Sequence, residues 1–89
     1  MINLKSYDDN KITGAQIRAA RALIRWSAKD LARAASVGVA TVSRAEVVDG
    51  DPAITTANLK AMQVALEAFG IEFIHGNGGG VGVRFRDPT

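Results

Sequence analysis

Two short segments, 27–29 and 39–44, carry the side chains that are best suited to hold a phosphate or to read a base edge. Ser27 and Lys29 can contact a phosphate through a hydroxyl and an ammonium group. Arg44 is the only side chain of the second segment that can make a bidentate contact with guanine. The other side chains there offer weak hydrogen bonds or apolar contacts with thymine methyl groups: Val39, Ala40, Thr41 and Ser43.

Two short helices are predicted to position these side chains. Ser27 followed by Asp30 approximates a capping box, which predicts a helix over 28–35. The break at 36–38 ends this helix, and its glycine can cap a second helix over 39–46. A helix with so little core-facing bulk is free to enter the major groove of DNA. Only two of its side chains face the core, Val42 and Ala45.

Residues 12–70 resemble the helix-turn-helix regulators related to phage repressor and Cro proteins. The usual family pattern around the turn is W-S-Q-x-x-L-A-x-x-A-G-V-S-x-x-T-I-S-x-x-E, and many positions of this chain agree with it in order and spacing. The resemblance implies a mainly α, repressor-like helix-turn-helix domain of four to five helices. The matching residues are Trp26-Ser27, Leu31-Ala32, Ala35, Val37, Thr41-Val42-Ser43 and Glu46.

The resemblance also implies roles for individual residues. Ser27 and the backbone N–H groups at the start of the second helix would hold a phosphate, and Lys29 would add charge. The third helix, with Arg44, would lie in the major groove. Arg21 and Glu46 match positions that often form a partly buried ion pair in this family, and the pair would be structural.

Three residues depart from the family pattern. Ala28 replaces a Gln that commonly contacts a phosphate. Ser36 replaces a Gly that takes the left-handed backbone conformation, which is strained for other residues. Gly38 replaces a capping Ser or Thr. These departures leave the fold expectation intact. Ala28, together with the apolar start of the third helix, favours an alternative in which DNA binding has been lost.

The N-terminal part of the chain is predicted to hold a polar arm and one helix. Residues 1–11 are interpreted as a flexible lead-in. Thr13 and Gln16 form a second capping box, which predicts a first helix over 13–25. Arg18 is expected on the outer side of this helix.

The C-terminal part is predicted to hold a fourth helix and a β-hairpin. The helix covers 56–69, begins at Thr55 or Thr56 and is ended by Gly70. The hairpin covers 71–86 and is closed by a glycine-rich loop. We treat residues 71–89 as a candidate dimerisation element, because an isolated hairpin is marginal and needs a cover from the fourth helix or a second chain. Its second strand alternates apolar residues, Val81, Val83 and Phe85.

Charge is distributed unevenly along the chain. Residues 11–46 hold seven Lys and Arg against two Asp and Glu, a net charge of +5, whereas residues 47–89 hold three against five, a net charge of −2. The positive half coincides with the segments that could contact phosphates, as is typical of a nucleic-acid footprint. The alternative is a solvated charged surface.

Composition argues against several classes of protein. The 89 residues include no cysteine and one histidine. No nucleophilic, acid–base or metal-ligand constellation is evident, so we expect neither an enzyme nor a metal or cofactor. No stretch approaches the roughly 20 apolar residues of a membrane helix, and no signal peptide opens the chain. We therefore expect a cytoplasmic protein without membrane contact.

These observations predict a sequence-specific DNA-binding regulator that represses transcription as a homodimer on a palindromic operator. Half-sites would lie roughly 34 Å apart. Two alternatives stay open. The first is the antitoxin of a toxin–antitoxin pair, which shares the module and binds a second protein. The second is a protein-interaction or dimerisation module that has kept the helical fold and lost DNA binding.

Overall fold

The computed structural model describes residues 11–88. They form a small, mainly helical domain that ends in an antiparallel hairpin, and every element lies within one residue of its predicted bounds. The predicted lead-in at 1–11 lies, except for Lys11, outside the described residues. The elements are α1 (Gly14–Ile24), α2 (Ala28–Ala35), α3 (Val39–Glu46), α4 (Thr56–Ala68), β1 (Ile71–Ile74) and β2 (Gly82–Phe85).

Side-chain caps fix where three of the helices begin. Before α1, the Gln16 backbone N–H donates to Thr13 Oγ1 at 3.1 Å, and the Thr13 N–H donates to Gln16 Oε1 at 2.8 Å. Ser27 and Asp30 form the same reciprocal pair before α2, and Thr55 caps α4. These bonds satisfy N–H groups that a helix start otherwise leaves without partners, so local sequence is sufficient to set these boundaries.

One hydrophobic core joins all four helices to the first strand. Each helix contributes buried side chains to it, and α2 packs between α3 and α4. Helical spacing also predicted Leu23 and Phe69 on the buried faces of the first and fourth helices, but they are 39% and 58% exposed. The core residues are Ile12, Ile17, Ala20, Leu31, Ala32, Val42, Ala45, Leu59, Met62, Leu66, Ile71 and Phe73.

The hairpin is attached to the helices through α1 as well as α4. The Gln16 side-chain amide donates from Nε2 to the carbonyl oxygens of Ile74 at 3.2 Å and Gly82 at 3.0 Å. The predicted cover, α4, packs against β1, whereas α1 packs against β2. The fourth helix, one of the two expected covers, therefore packs on the hairpin, and α1 shares this role. Capping and hairpin attachment share one buried side chain, Gln16.

Within residues 11–88, no helix combines the length and apolar character that crossing a bilayer requires.

Candidate nucleic-acid interface

Helix α3 turns most of its candidate contact residues toward solvent. Its two core residues, Val42 and Ala45, are fully buried. Thr41 is half-buried at the edge of this packed side. The outward face therefore consists of small or flexible side chains around a single cation, and these exposed residues are Val39, Ala40, Ser43 and Arg44.

The N-terminus of α2 already holds a carboxylate. Asp30 Oδ2 accepts a hydrogen bond from the Ser27 N–H at 2.9 Å, and Ser27 Oγ accepts one from the Asp30 N–H at 3.1 Å. The backbone bond from Ser27, followed by the bond with its side chain, lowers the pKa of Asp30. Among residues 11–88, the N–H groups of Ala28 and Lys29 have no acceptor. A phosphate here would find donors and the exposed Lys29 ammonium, next to one negative charge.

The turn between α2 and α3 has the conformation that glycine usually provides. Ser36 lies in the left-handed region, with φ 57° and ψ 43°. Its N–H donates to the Arg33 carbonyl at 3.3 Å, and the Val37 N–H donates to the Ala32 carbonyl at 3.0 Å. This pair of bonds is a Schellman motif. The sequence identified this position, whereas the equivalent left-handed Arg25 after α1 carried no sequence signal.

A bidentate ion pair between Arg21 and Glu46 links α1 to the end of α3. Arg21 Nε donates to Glu46 Oε2 and Arg21 Nη2 to Glu46 Oε1, each at 2.7 Å. The side chains are 23% and 10% exposed, respectively. Arg21 Nη1 also donates to the Trp26 carbonyl at 2.9 Å, so the guanidinium joins α3 to the α1–α2 corner. The hydrogen bonds to Glu46 raise the pKa of Arg21 despite the opposing effect of burial.

Arg18 is a second anchor: its side chain is 40% exposed, in keeping with the predicted outer side of α1, and it also bonds to the end of α3. Its Nη1 donates to the carbonyl oxygens of Glu46 at 2.5 Å and Val48 at 3.1 Å. Its Nη2 forms an ion pair with Asp49. A cation near the last carbonyls of a helix is favourable for the helix dipole. The sequence predicted a basic residue on α1, but it did not indicate that backbone carbonyl oxygens and Asp49 would accept its hydrogen bonds.

Gly14 is a third anchor, and the sequence reading missed it. Its N–H donates to the Gly50 carbonyl at 2.9 Å. A Cβ at Gly14 would lie 2.0 Å from the Val48 carbonyl oxygen and 2.6 Å from that of Ala45. Only glycine therefore permits this approach of α1 to the end of α3. The signal available in sequence was a glycine at the first helical position, where glycine is a poor helix former.

Most of the cations around α2 and α3 are not used inside the domain. Arg18 and Arg21 are paired, but the other basic residues of 11–46 form no ion pair with a described residue. No three His, Cys, Asp or Glu side chains within 11–88 converge as a metal site would require. The exposed, unpaired cations are Lys11, Arg25, Lys29, Arg33 and Arg44.

The start of α3 can be tested by adding the missing cap. Gly38 has φ −74° and ψ 150° and makes no side-chain capping bond. A Cβ there would meet only Thr41 Oγ1, at 3.9 Å. We expect Gly38→Ser to stabilise the protein by about 0.5 kcal/mol, because its hydroxyl can cap α3 and the unfolded chain loses freedom. Thermal unfolding would measure this, with Gly38→Ala as the control. Equal stability of the two variants would show that no cap forms.

No protein-family model matches this chain, and no curated protein matches it either.

Proposed function

We propose that the protein is a sequence-specific DNA-binding regulator in which α2 and α3 form a helix-turn-helix and α3 is the recognition helix. It would act as a dimer on a palindromic operator and repress by excluding polymerase. The observation that carries this proposal is a short helix held by contacts at one end, with an exposed face that carries one cation, one hydroxyl and two apolar side chains. That face comprises Val39, Ala40, Ser43 and Arg44.

Rigidity of α3 supports the proposal. An eight-residue helix is marginal by itself, and α3 buries only Val42 and Ala45 fully. Three contacts from α1 nevertheless fix its C-terminal end: the Arg21 ion pair, the Arg18 hydrogen bonds and the close approach at Gly14. Base reading requires side chains held in place by the scaffold, and these contacts supply that support to a helix with little core of its own.

The chemistry of the open face is suited to the major groove. Arg44 can donate two parallel hydrogen bonds to the O6 and N7 atoms of guanine. Val39 and Ala40 are apolar and exposed, so they can contact thymine methyl groups, while Ser43 can donate to or accept from any base. Arg44 is thus the one side chain suited to a strong, base-specific contact, and the other three make weaker contacts. We expect modest sequence specificity that also depends on DNA shape.

The phosphate contacts are proposed to come from the beginning of α2. Lys29 is exposed and unpaired among the described residues, and the neighbouring N–H of Ala28 has no acceptor there. The Asp30 carboxylate reduces the attraction that this helix terminus would exert on an anion. We therefore assign the larger share of phosphate binding to the Lys29 ammonium and to the hydroxyl proton of Ser27.

The test compares two cations with different expected roles. Duplexes selected from a random library provide the operator, and scrambled duplexes provide the reference. Arg44→Ala should reduce discrimination at one base pair of each half-site by about 1–3 kcal/mol. Lys29→Ala should weaken binding to all duplexes alike and reduce the slope of log K against log salt by about one.

Lys60→Ala is the matched control, because Lys60 is an exposed cation on α4 rather than on α2 or α3. It should leave both affinity and salt slope unchanged. Equal losses for operator and scrambled DNA in Arg44→Ala would make Arg44 a phosphate contact. Unchanged binding in both test variants would show that α3 is not the DNA surface.

A protein-interaction module is the second candidate function. Two observations favour it: a carboxylate occupies the start of α2, and apolar side chains are exposed at both ends of α3, Val39 and Val47. Such a module would show no binding to random duplex DNA even at low salt. A regulator would bind it, with affinity that falls steeply as salt rises.

A further inference from the structure

The alternation of hydrogen-bonded and non-hydrogen-bonded pairs in the hairpin shows which backbone groups point to the outer edge of β2. The register places Ile71 opposite Phe85, and the Arg86 N–H donates to the Gly70 carbonyl at 2.8 Å. Bonded and non-bonded pairs alternate in an antiparallel ladder. The N–H and C=O groups of Val83 and Phe85 therefore point away from β1. The two hydrogen bonds from Gln16 Nε2 agree with this assignment. They reach the carbonyl oxygens of Ile74 and Gly82, and both of these oxygens point into the space between β1 and β2.

The outer edge of β2 is open and apolar. The ladder directs the backbone N–H and C=O groups of Val83 and Phe85 away from β1, and outside the ladder no backbone hydrogen bond among residues 11–88 uses them. The side chains of Val81 and Phe85 are 46% and 40% exposed, whereas Ile71 and Phe73 of β1 are only 1% and 7% exposed. An edge strand with free donors, free acceptors and exposed apolar side chains is a template for another strand.

We propose that a second copy of this chain pairs antiparallel along β2, so that two hairpins form one four-stranded sheet. A strand that pairs antiparallel with its own copy generates a two-fold axis, so the interface closes as a dimer. Three or more strands with an apolar face are also more stable than an isolated hairpin. The proposal deepens the proposed function, which requires a dimer, by assigning the surface that makes it.

Charge and side-chain matching select one register. Pairing centred on Arg84 would place it opposite the partner's Arg84, and pairing centred on Phe85 would place Arg84 opposite the partner's Arg86. Like charges directly opposite are destabilising. Pairing centred on Gly82 would place Phe85 opposite the glycine-rich loop. Pairing centred on Val83 avoids all three outcomes.

The register centred on Val83 also covers the exposed side chains. Val81 would lie opposite the partner's Phe85, and the reverse contact follows by symmetry. Gly82 would lie opposite the partner's Arg84, where glycine leaves room for the long side chain. Aromatic and β-branched cross-strand pairs of this kind stabilise a sheet.

Disulfide cross-linking tests this register directly, since the natural chain has no cysteine. Gly82→Cys and Arg84→Cys are prepared as separate full-length variants, and a Cβ at Gly82 would meet only Ile74 Cδ1 at 3.8 Å. In the proposed register these positions form a non-hydrogen-bonded pair with Cα atoms about 4.5 Å apart, within disulfide reach. With oxidised glutathione, the mixture should form linked dimers faster than either variant alone.

Val83→Pro tests the same edge without cysteines. Proline removes an N–H that points away from β1, so the hairpin's own ladder stays intact. We expect the dimer dissociation constant from sedimentation equilibrium to rise at least tenfold, with unchanged helical circular dichroism. Val83→Thr, which keeps the N–H and the β-branch, should dimerise like the natural chain.

Three outcomes would overturn the proposal. The first is no preferential cross-linking in the mixture, or equally fast linking of Arg84→Cys with itself. The second is an unchanged dissociation constant in Val83→Pro. The third is a monomer at all concentrations. None of these assays contains DNA, so their failure is distinct from failure of the DNA-binding proposal.

Discussion

Replacing Glu46 by alanine should lower the free energy of unfolding by about 3 kcal/mol. The substitution leaves the Arg21 guanidinium without the carboxylate that accepts two of its hydrogen bonds. Removing one partner of a buried pair costs about 3–5 kcal/mol because a charge is left uncompensated. The residual exposure of Arg21, 23%, places the expected loss at the lower end of that range. Urea denaturation at neutral pH measures it.

Glu72→Ala provides the matched control for this loss. Glu72 and Arg84 form a similar two-pronged pair across the hairpin, but their side chains are 41% and 62% exposed, respectively. The bonds from Arg84 lower the pKa of Glu72, yet water screens this exposed pair, so its loss should change stability far less than the loss of Glu46. Equal losses in the two variants would mean that burial of the Glu46 pair has no energetic effect.

Sequence predicted the elements well because their boundaries depend on local chemistry. The reciprocal bonds of Thr13 with Gln16 and of Ser27 with Asp30 involve residues three apart, and a pattern at that spacing is visible in the chain. The buried side of α3 followed from helical periodicity. The Arg21–Glu46 pair was different: its two residues are 25 positions apart, and only the family resemblance connected them.

The remaining contacts could not be predicted because they depend on how distant segments pack. Arg18 donates to backbone carbonyls about 30 positions away, and a carbonyl has no sequence signature. Gln16 was identified as a capping residue, but its second role depends on where the hairpin lies against α1. No residue pattern in the chain indicates that α1, rather than α4, packs against β2.

Gly14→Ala should destabilise the protein by about 2 kcal/mol, although alanine is the better helix former. The gain in helix propensity is at most about 1 kcal/mol. Against it stands a new methyl group 2.0 Å from the Val48 carbonyl oxygen, and both neighbours are backbone atoms that cannot rotate away. Overpacking of this kind typically costs about 1–3 kcal/mol. Relief would require α1 to move away from the loop after α3, weakening the bond from the Gly14 N–H to Gly50.

Gly50→Ala is the control, because a Cβ there would have nothing within 4 Å. Gly50 supplies the carbonyl oxygen that accepts the hydrogen bond from the Gly14 N–H, so this substitution lies on the other side of the same contact. It should change stability little. If α3 reads DNA, Gly14→Ala should also weaken operator binding more than scrambled binding under conditions where the variant stays folded, because a displaced α1 no longer fixes the end of the reading helix. Chemical denaturation and duplex titration measure the two effects. A Gly14→Ala protein as stable as the natural chain would show that α1 and the end of α3 separate at no cost, and the rigid support proposed for α3 would then be wrong.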